Sequence, residues 1–257
     1  MESTGMSAQA TVQDGIGQLV LHHPPLNILT RGVLAAVRDE LARLADDSAL
    51  RVLLLRAEGK HFSAGADVGE HMPPQYTELI PEFMETIARL RDFPIPLVAA
   101  VQGRCLGGGF ELVQGADLVV AGEGASFGQP EIMLGVIAPA AAALLPMLCP
   151  TGRAAEIVFT GDAITAEDAR AAGLVTRVVA DERVHEAALD LCGRIARHSG
   201  AALRIAKQVL RAGEAAARSA AFGTAERLYL DELMQTEDAI EGLTAFLEKR
   251  QPTWADR

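Results

Sequence analysis

An α/β fold built on a parallel sheet is what this sequence predicts, and three observations predict it. Strand-like runs alternate with helical periods between residues 9 and 121, the strands are continuously apolar, and the chain beyond Ala140 has helical spacing almost throughout. A strand that is apolar at every position must be covered on both faces, which helices crossing between parallel strands accomplish.

Residues 9–22 alternate in polarity around Asp14-Gly15, the strongest short hairpin signal. Thr30 then precedes Val33, Leu34, Val37, Leu41 and Leu44, an amphipathic helix with its N-cap. Val52-Leu53-Leu54-Leu55 is a buried strand. A helix over Tyr76 to Arg91 is stopped by Pro94 and Pro96, and Leu97 to Val101 is the next buried strand. After Gly107-Gly108-Gly109 a short helix starting near Phe110 carries Glu111, and Asp117 to Ala121 is a third strand. Further helices are predicted near 183–198, 201–217, 219–235 and 237–249, and Thr165-Ala166-Glu167-Asp168 is a capping box with Asp in place of Glu or Gln. No internal repeat, low-complexity tract or flexible linker interrupts the chain. The expected organisation is a core domain over 1–195 with a helical region over 196–257, packed on that domain or on a neighbour.

At 257 residues the chain is long enough for a full core. Only 4% of it is aromatic, so Leu, Val, Ile and Ala must fill that core. The net charge, 23 − 34 = −11, argues against nucleic acid or an anionic membrane as a partner. No apolar run reaches the ~18 to 20 residues of a membrane span; Val136 to Cys149 comes nearest and is broken by Pro139 and Pro146. Met1-Glu2-Ser3-Thr4-Gly5 lacks the basic start of a secretory signal. Cys105, Cys149 and Cys192 are odd in number and have no metal-ligand spacing, so a reduced, cytoplasmic protein without a metal site is expected.

Chemistry is concentrated in Glu111 and Glu131, each tied to a small-residue turn. Two carboxylates can share acid and base work on one water. The glycines before Glu111 and the Ala64-Gly65-Ala66 turn after the strand at 52–55 lack bulky side chains, so their N–H groups can approach one carbonyl oxygen as an oxyanion hole. Taken singly, each piece has a blander meaning. A triple glycine is more often a turn, a glutamate at a helix start a dipole partner, His61 and His71 loop histidines, and Cys105 a packing residue. The glycines also fit neither the dinucleotide nor the Walker pattern.

Joined, the pieces are specific. Phe62-Ser63-Ala64-Gly65-Ala66-Asp67, the run from Ala99 through Gly107-Gly108-Gly109-Phe110-Glu111-Leu112, and Phe127-Gly128-Gln129-Pro130-Glu131 to Gly135 resemble the enoyl-CoA hydratase/isomerase (crotonase) superfamily over nearly the whole chain. The resemblance implies a spiral of β-β-α turns with a C-terminal helical trimerisation region, and a homotrimer or a hexamer made of two trimers. It implies an acyl-CoA thioester substrate and no cofactor, CoA being part of the substrate. It places the oxyanion hole at the N–H groups of Ala66 and Gly108, and the acyl-CoA groove at Leu26, Ala64, Asp67, Val68 and Gly107. Retention of both glutamates favours a hydratase, with Glu131 as proton donor to carbon and Glu111 as water activator, the two titrating as a unit.

The segment Val136-Ile137-Ala138-Pro139-Ala140 to Pro146 departs from the common hydratases and implies a more apolar acyl pocket beside Glu131. With His22 to Asn27 and Gly69 to Pro74 it is similar to the branch that hydrates cyclohexa-1,5-diene-1-carbonyl-CoA to 6-hydroxycyclohex-1-ene-1-carbonyl-CoA in anaerobic benzoyl-CoA degradation. The competing expectations are a short-chain 2-enoyl-CoA hydratase, an isomerase using one glutamate, and a non-catalytic relative that binds CoA esters or RNA.

Overall fold

The computed structural model describes residues 8–257, so the Met1–Gly5 stretch weighed above lies outside the described residues. Asp14 and Gly15, both at positive φ (52° and 78°), turn the chain between β1 (Ala8–Gln13) and β2 (Ile16–Leu21), which pair antiparallel. Such a turn matches the right-handed twist of the strands it joins. Thr30 caps α1 (Arg31–Ala45) by accepting from the Val33 N–H. There follow β3 (Val52–Ala57), α2 (Tyr76–Arg91), β4 (Leu97–Val101), β5 (Arg104–Leu106), α3 (Gly108–Gln114), β6 (Leu118–Gly122) and β7 (Ser126–Gly128). The remainder comprises α4 (Pro139–Leu148), α5 (Thr151–Thr160), β8 (Ile164–Thr165), α6 (Ala166–Ala171), β9 (Arg177–Val179), α7 (Val184–Ala196), α8 (Gly200–Ala212), α9 (Ala215–Arg227) and α10 (Glu237–Leu247).

The large sheet has the order β1-β2-β3-β4-β6-β9 and is parallel except for the opening hairpin. Alternate residues of its strands serve two separate cores. Leu53, Leu55, Ala99, Val101 and Ala121 pack with the helices of the main core. Val52, Leu54, Val98, Ala100 and Val120 face the other way, against Val184, Ala188, Leu191 and Cys192 of α7. This is the physical reason for the continuous apolar runs, since every residue of a central strand has a hydrophobic neighbour on one side or the other.

A second ladder runs beside the first. β5, β7 and β8 form a small sheet, and the parallel bridges Leu29 to Ala66 and Ser63 to Cys105 carry the same ladder back along the chain. Four successive segments therefore repeat one path: a strand of the large sheet, a short step on the second ladder, then a helix. They run β2, Leu29, α1; then β3, Ser63, α2; then β4, β5, α3; then β6, β7, α4. This is the expected spiral of β-β-α turns. The repeat is one of backbone path with no recurring sequence, which is why residue patterns alone do not reveal it.

Several boundaries differ from expectation. The region beyond Ala140 is not all helix: β8 and β9 are too short to show a period, and β9 completes the large sheet beside β6. The helix expected over 201–217 stops at Ala212, and that expected over 219–235 is α9 ending at Arg227, followed by a π-helical turn (Leu228–Glu232) and a 3₁₀ turn (Leu233–Gln235). The Thr165–Asp168 capping box is formed.

The C-terminal helices sit on this chain's own core, fastened by ion pairs. Arg91, buried on α2, donates to the Gln114 carbonyl (2.8 Å) and to both Glu214 oxygens (2.9 Å each). Lys207, buried on α8, donates to the Ile95 carbonyl (2.9 Å) and pairs with Asp117 (2.8 Å). Arg218 on α9 reaches Asp92 at 2.7 Å. No helix among the described residues is long and apolar enough to cross a membrane.

Candidate active site

The Ala64-Gly65-Ala66 turn is held from behind by two side chains, Asn27 and Ser63, to which the sequence alone gives no individual role. Asn27, buried and at φ 50°, donates through Nδ2 to the carbonyls of Glu58 (2.8 Å) and His61 (2.9 Å). Ser63 Oγ donates to the Asn27 carbonyl (2.7 Å) and accepts from the Gly65 N–H (3.1 Å). The Ala64 N–H is taken by the Leu26 carbonyl and the Asp67 N–H by the Leu29 carbonyl. On the facing segment the Gly107 N–H is taken by Gly128. Between these engaged neighbours, the Ala66 and Gly108 N–H groups donate to none of the carbonyls or side chains among the described residues.

These two amides lie close together. A methyl group added at Gly108 would lie 3.2 Å from the Ala66 nitrogen, and one at Gly109 would strike Ser63, so only glycines allow the two segments to approach this closely. Contrary to expectation, the glycines are preceded by a strand, β5, and the helix starts at Gly108 instead of near Phe110. Ala66 stands on the second ladder, followed by only a three-residue 3₁₀ turn (Gly69–His71), not at a helix start as Gly108 does.

Glu111 is in the first turn of α3 and almost fully buried. Its Oε1 accepts from the Ala141 N–H at 2.9 Å. That N–H belongs to the opening turn of α4, whose Pro139 occupies a first-turn position where no N–H is needed. The Ala-rich segment expected as pocket wall is thus divided in role: Val136 lines the cavity, while Ala140 and Ala141 belong to a helix whose N-terminus holds Glu111. Those backbone donors favour the carboxylate, but burial outweighs them and pushes the Glu111 carboxyl up to about 7.

Glu131 projects from the 3₁₀ turn Pro130–Leu134, which ends in left-handed Gly135. Its Oε2 has neither a protein partner nor solvent contact, although the residue as a whole is only partly buried. Burial first, and then the charge of Glu111, drive its carboxyl well above the usual range. Gly107 lies against it at φ 51°, where any Cβ would run into Glu131 Oε1.

A cavity of about 360 Å³ opens beside these groups, walled by Ala64, Ala66, Val68, Gly107 and Glu131. Leu26, Asp67, Gly108 and Glu111 are not among its lining residues. Leu26 acts through its carbonyl on Ala64, and the Asp67 carboxylate accepts from the Glu70 N–H (3.1 Å), while Glu111 lies behind the wall. Leu243, Phe246 and His71 also line the cavity, none of them foreseen as such on this chain. The ring Nδ1 of His71 lies 2.8 Å from the Asp67 carbonyl, and burial pulls its pKa below the ordinary value. The imidazole is therefore neutral, with Nδ1 the donor.

The raised carboxyls have a consequence for stability. A carboxyl with a higher pKa in the folded than in the unfolded chain binds protons more tightly when folded, so stability falls as pH rises from about 4.5 to about 7. Glu111→Gln keeps an oxygen for the Ala141 N–H and removes the buried charge. At pH 8 it is expected to unfold about 1–3 kcal/mol less readily than the parent, with the gap closing below pH 5. Chemical denaturation at several pH values checks this, and equal stability at pH 8 would contradict it.

The chain matches the family model described as enoyl-CoA hydratase/isomerase over residues 11–257. It is 40% identical to the cyclohexa-1,5-dienecarbonyl-CoA hydratase of Thauera aromatica, covering 93% of each chain. It is 38% identical to the 2,3-dehydroadipyl-CoA hydratase of Escherichia coli (strain K12), covering 93% of this chain and 94% of that one. Among solved structures, it is similar to carnitinyl-CoA hydratase from Mycobacterium avium, with a TM-score of 0.88 and 33% identity over 99% of this chain and 100% of that one.

Proposed function

This chain belongs to the enoyl-CoA hydratase/isomerase family as a hydro-lyase, and from that premise we propose that it hydrates a cyclic, uncharged dienoyl thioester, cyclohexa-1,5-diene-1-carbonyl-CoA. The observation that carries the choice of acyl group is the cavity wall. Val68, Met133, Leu134, Val136, Leu243 and Phe246 supply most of it, no Lys or Arg among the described residues lines it, and its histidine is neutral. A second carboxylate, as on a dehydroadipyl chain, would be buried there without a partner, at a cost of several kcal/mol. A flat apolar ring suffers no such penalty and is held in one orientation against Glu131.

The chemistry follows from the groups around the cavity. The thioester oxygen accepts from the Ala66 and Gly108 N–H groups, which withdraw electrons from the diene. One glutamate takes a proton from water as the water oxygen bonds to the carbon β to the thioester. The electron pair moves to the thioester oxygen as a dienolate, and a proton returns to the far diene carbon, which shifts the remaining double bond and gives 6-hydroxycyclohex-1-ene-1-carbonyl-CoA. The hydroxyl and the new C–H lie on opposite carbons of the ring, so two separate carboxyls suit the reaction better than one. Glu111, held by the α4 N-terminus, is assigned to the water, and the unpartnered Glu131 to carbon. The charge of one acts on the other, so the pair titrates jointly.

The test is the ratio of kcat/KM for three thioesters. The cyclic dienoyl-CoA is expected to exceed crotonyl-CoA by about 10-fold or more, and 2,3-dehydroadipyl-CoA to trail it by about 100-fold or more. A preference for crotonyl-CoA or for the dicarboxylic ester would remove the cyclic assignment. The same proposal includes assembly into a homotrimer or homohexamer through the 196–257 region. Its support is Ile205, Val209 and Leu210, which stand 60–81% exposed on α8. A sedimentation mass of one chain would count against it.

A further inference from the structure

Tyr229 is fully buried in the π-helical turn Leu228–Glu232 that continues α9. Its hydroxyl has no hydrogen-bond partner among the described residues. A buried polar group without a partner is uncommon because it forfeits its hydration, and π-turns inside helices concentrate at functional sites. The position of this phenol is as informative. α9 packs along α4, the helix whose opening N–H holds Glu111, and Tyr229 belongs to the main core that also takes in Val136, Ala138, Ala140 and Ala141. The carboxylates of Glu131 and Glu111 both act on it, and with burial they raise its pKa far enough that the O–H keeps its proton. Glu111, the Glu131 Oε2 and the Tyr229 hydroxyl are thus three buried polar groups near enough for the carboxyl charges to act on the phenol.

The attacking water needs that combination. The O–H that is broken is accepted by the Glu111 carboxylate, one lone pair forms the new bond to carbon, and the second lone pair is free to accept from a donor. Resting on the proposed hydration, we propose that the Tyr229 O–H donates to the oxygen of this water, and to the hydroxyl of the product, as a third group of the site. No proton leaves the phenol: the water gives its proton to a glutamate while the tyrosine fixes the direction of attack. A purely structural tyrosine would have its hydroxyl satisfied by protein, and this one does not.

The experiment is Tyr229→Phe, assayed with crotonyl-CoA and with cyclohexa-1,5-diene-1-carbonyl-CoA. Expected is a fall in kcat of about 10- to 100-fold, with KM within about threefold and a melting temperature equal to or above that of the parent, since the lost hydroxyl made no protein bond. A kcat within twofold of the parent overturns the assignment. A parent that hydrates neither thioester removes the proposed function and this inference with it, whereas an active parent with an equally active variant removes this inference alone. A measurement on the unmutated site guards against a variant that fails to fold. The chain has two tyrosines, so labelling with ring-¹³Cζ tyrosine, with Tyr76→Phe for assignment, isolates Tyr229. Its resonance is expected to move on adding 6-hydroxycyclohex-1-ene-1-carbonyl-CoA and to stay in place with cyclohex-1-ene-1-carbonyl-CoA, which lacks the hydroxyl. An identical response to the two overturns the proposal.

Discussion

Glu131→Gln is expected to lower kcat for hydration by about 100- to 10,000-fold while leaving the affinity for the CoA ester within about threefold. The substitution is nearly isosteric, so Gly107, whose missing Cβ makes room for Glu131 Oε1, accommodates the amide as it does the acid. What is lost is the ability to pass a proton to and from carbon. Because burial and the neighbouring Glu111 raise the Glu131 carboxyl, the parent holds a proton there at a pH where an exposed glutamate would not. That protonated acid is the form needed to complete the addition. The variant should fold and bind, and isothermal titration with a saturated acyl-CoA together with initial-rate kinetics separates the two effects. Full turnover in Glu131→Gln would show that the proton reaches carbon by another route, and the division of labour between the carboxyls would have to be redrawn.

Gly108→Ala is expected to reduce kcat/KM by about 100- to 1,000-fold, the usual consequence of losing one oxyanion donor. The methyl would lie 3.2 Å from the Ala66 nitrogen and 2.7 Å from the edge of the Phe83 ring. It therefore wedges between the two segments and is expected to move the Gly108 amide relative to that of Ala66. The ring can yield, since only its far end is touched, whereas the segments are tied by the bonds of the Ala64, Gly65, Asp67 and Gly107 N–H groups. The expected signature is a variant that retains its melting temperature to within a few degrees and its affinity for free CoA, yet has lost most of its turnover. An unimpaired Gly108→Ala enzyme would place the thioester oxygen elsewhere.

The two predictions differ in how much of their basis could be seen in the sequence. Gly107-Gly108-Gly109 and the two glutamates announce themselves, because few residue types tolerate such turns or perform such proton transfers. Asn27 and Ser63, which shape the Ala66 turn, are ordinary polar residues whose partners lie some 30 or more positions away, and no local pattern marks them. Tyr229 is hidden for a related reason. Its spacing is that of one more apolar residue on a predicted helix, and only the folded chain shows it buried in a π-turn after a helix packed on α4.

By itself the sequence determined the central strands and the helices up to Gln114 to within a few residues, because burial on both sheet faces demands continuous apolar runs and helices demand their own period. It also determined the family, through glycines and glutamates that chemistry leaves little freedom to replace. The tertiary structure alone decided which groups face one another. The pairing of the Ala66 and Gly108 amides, the seating of Glu111 on the α4 N-terminus, the neutral His71 in an apolar cavity and the buried Tyr229 hydroxyl all join segments distant along the chain. Such contacts depend on how the turns of the spiral stack, and stacking is set by the summed packing of the whole core, which no single stretch of residues encodes.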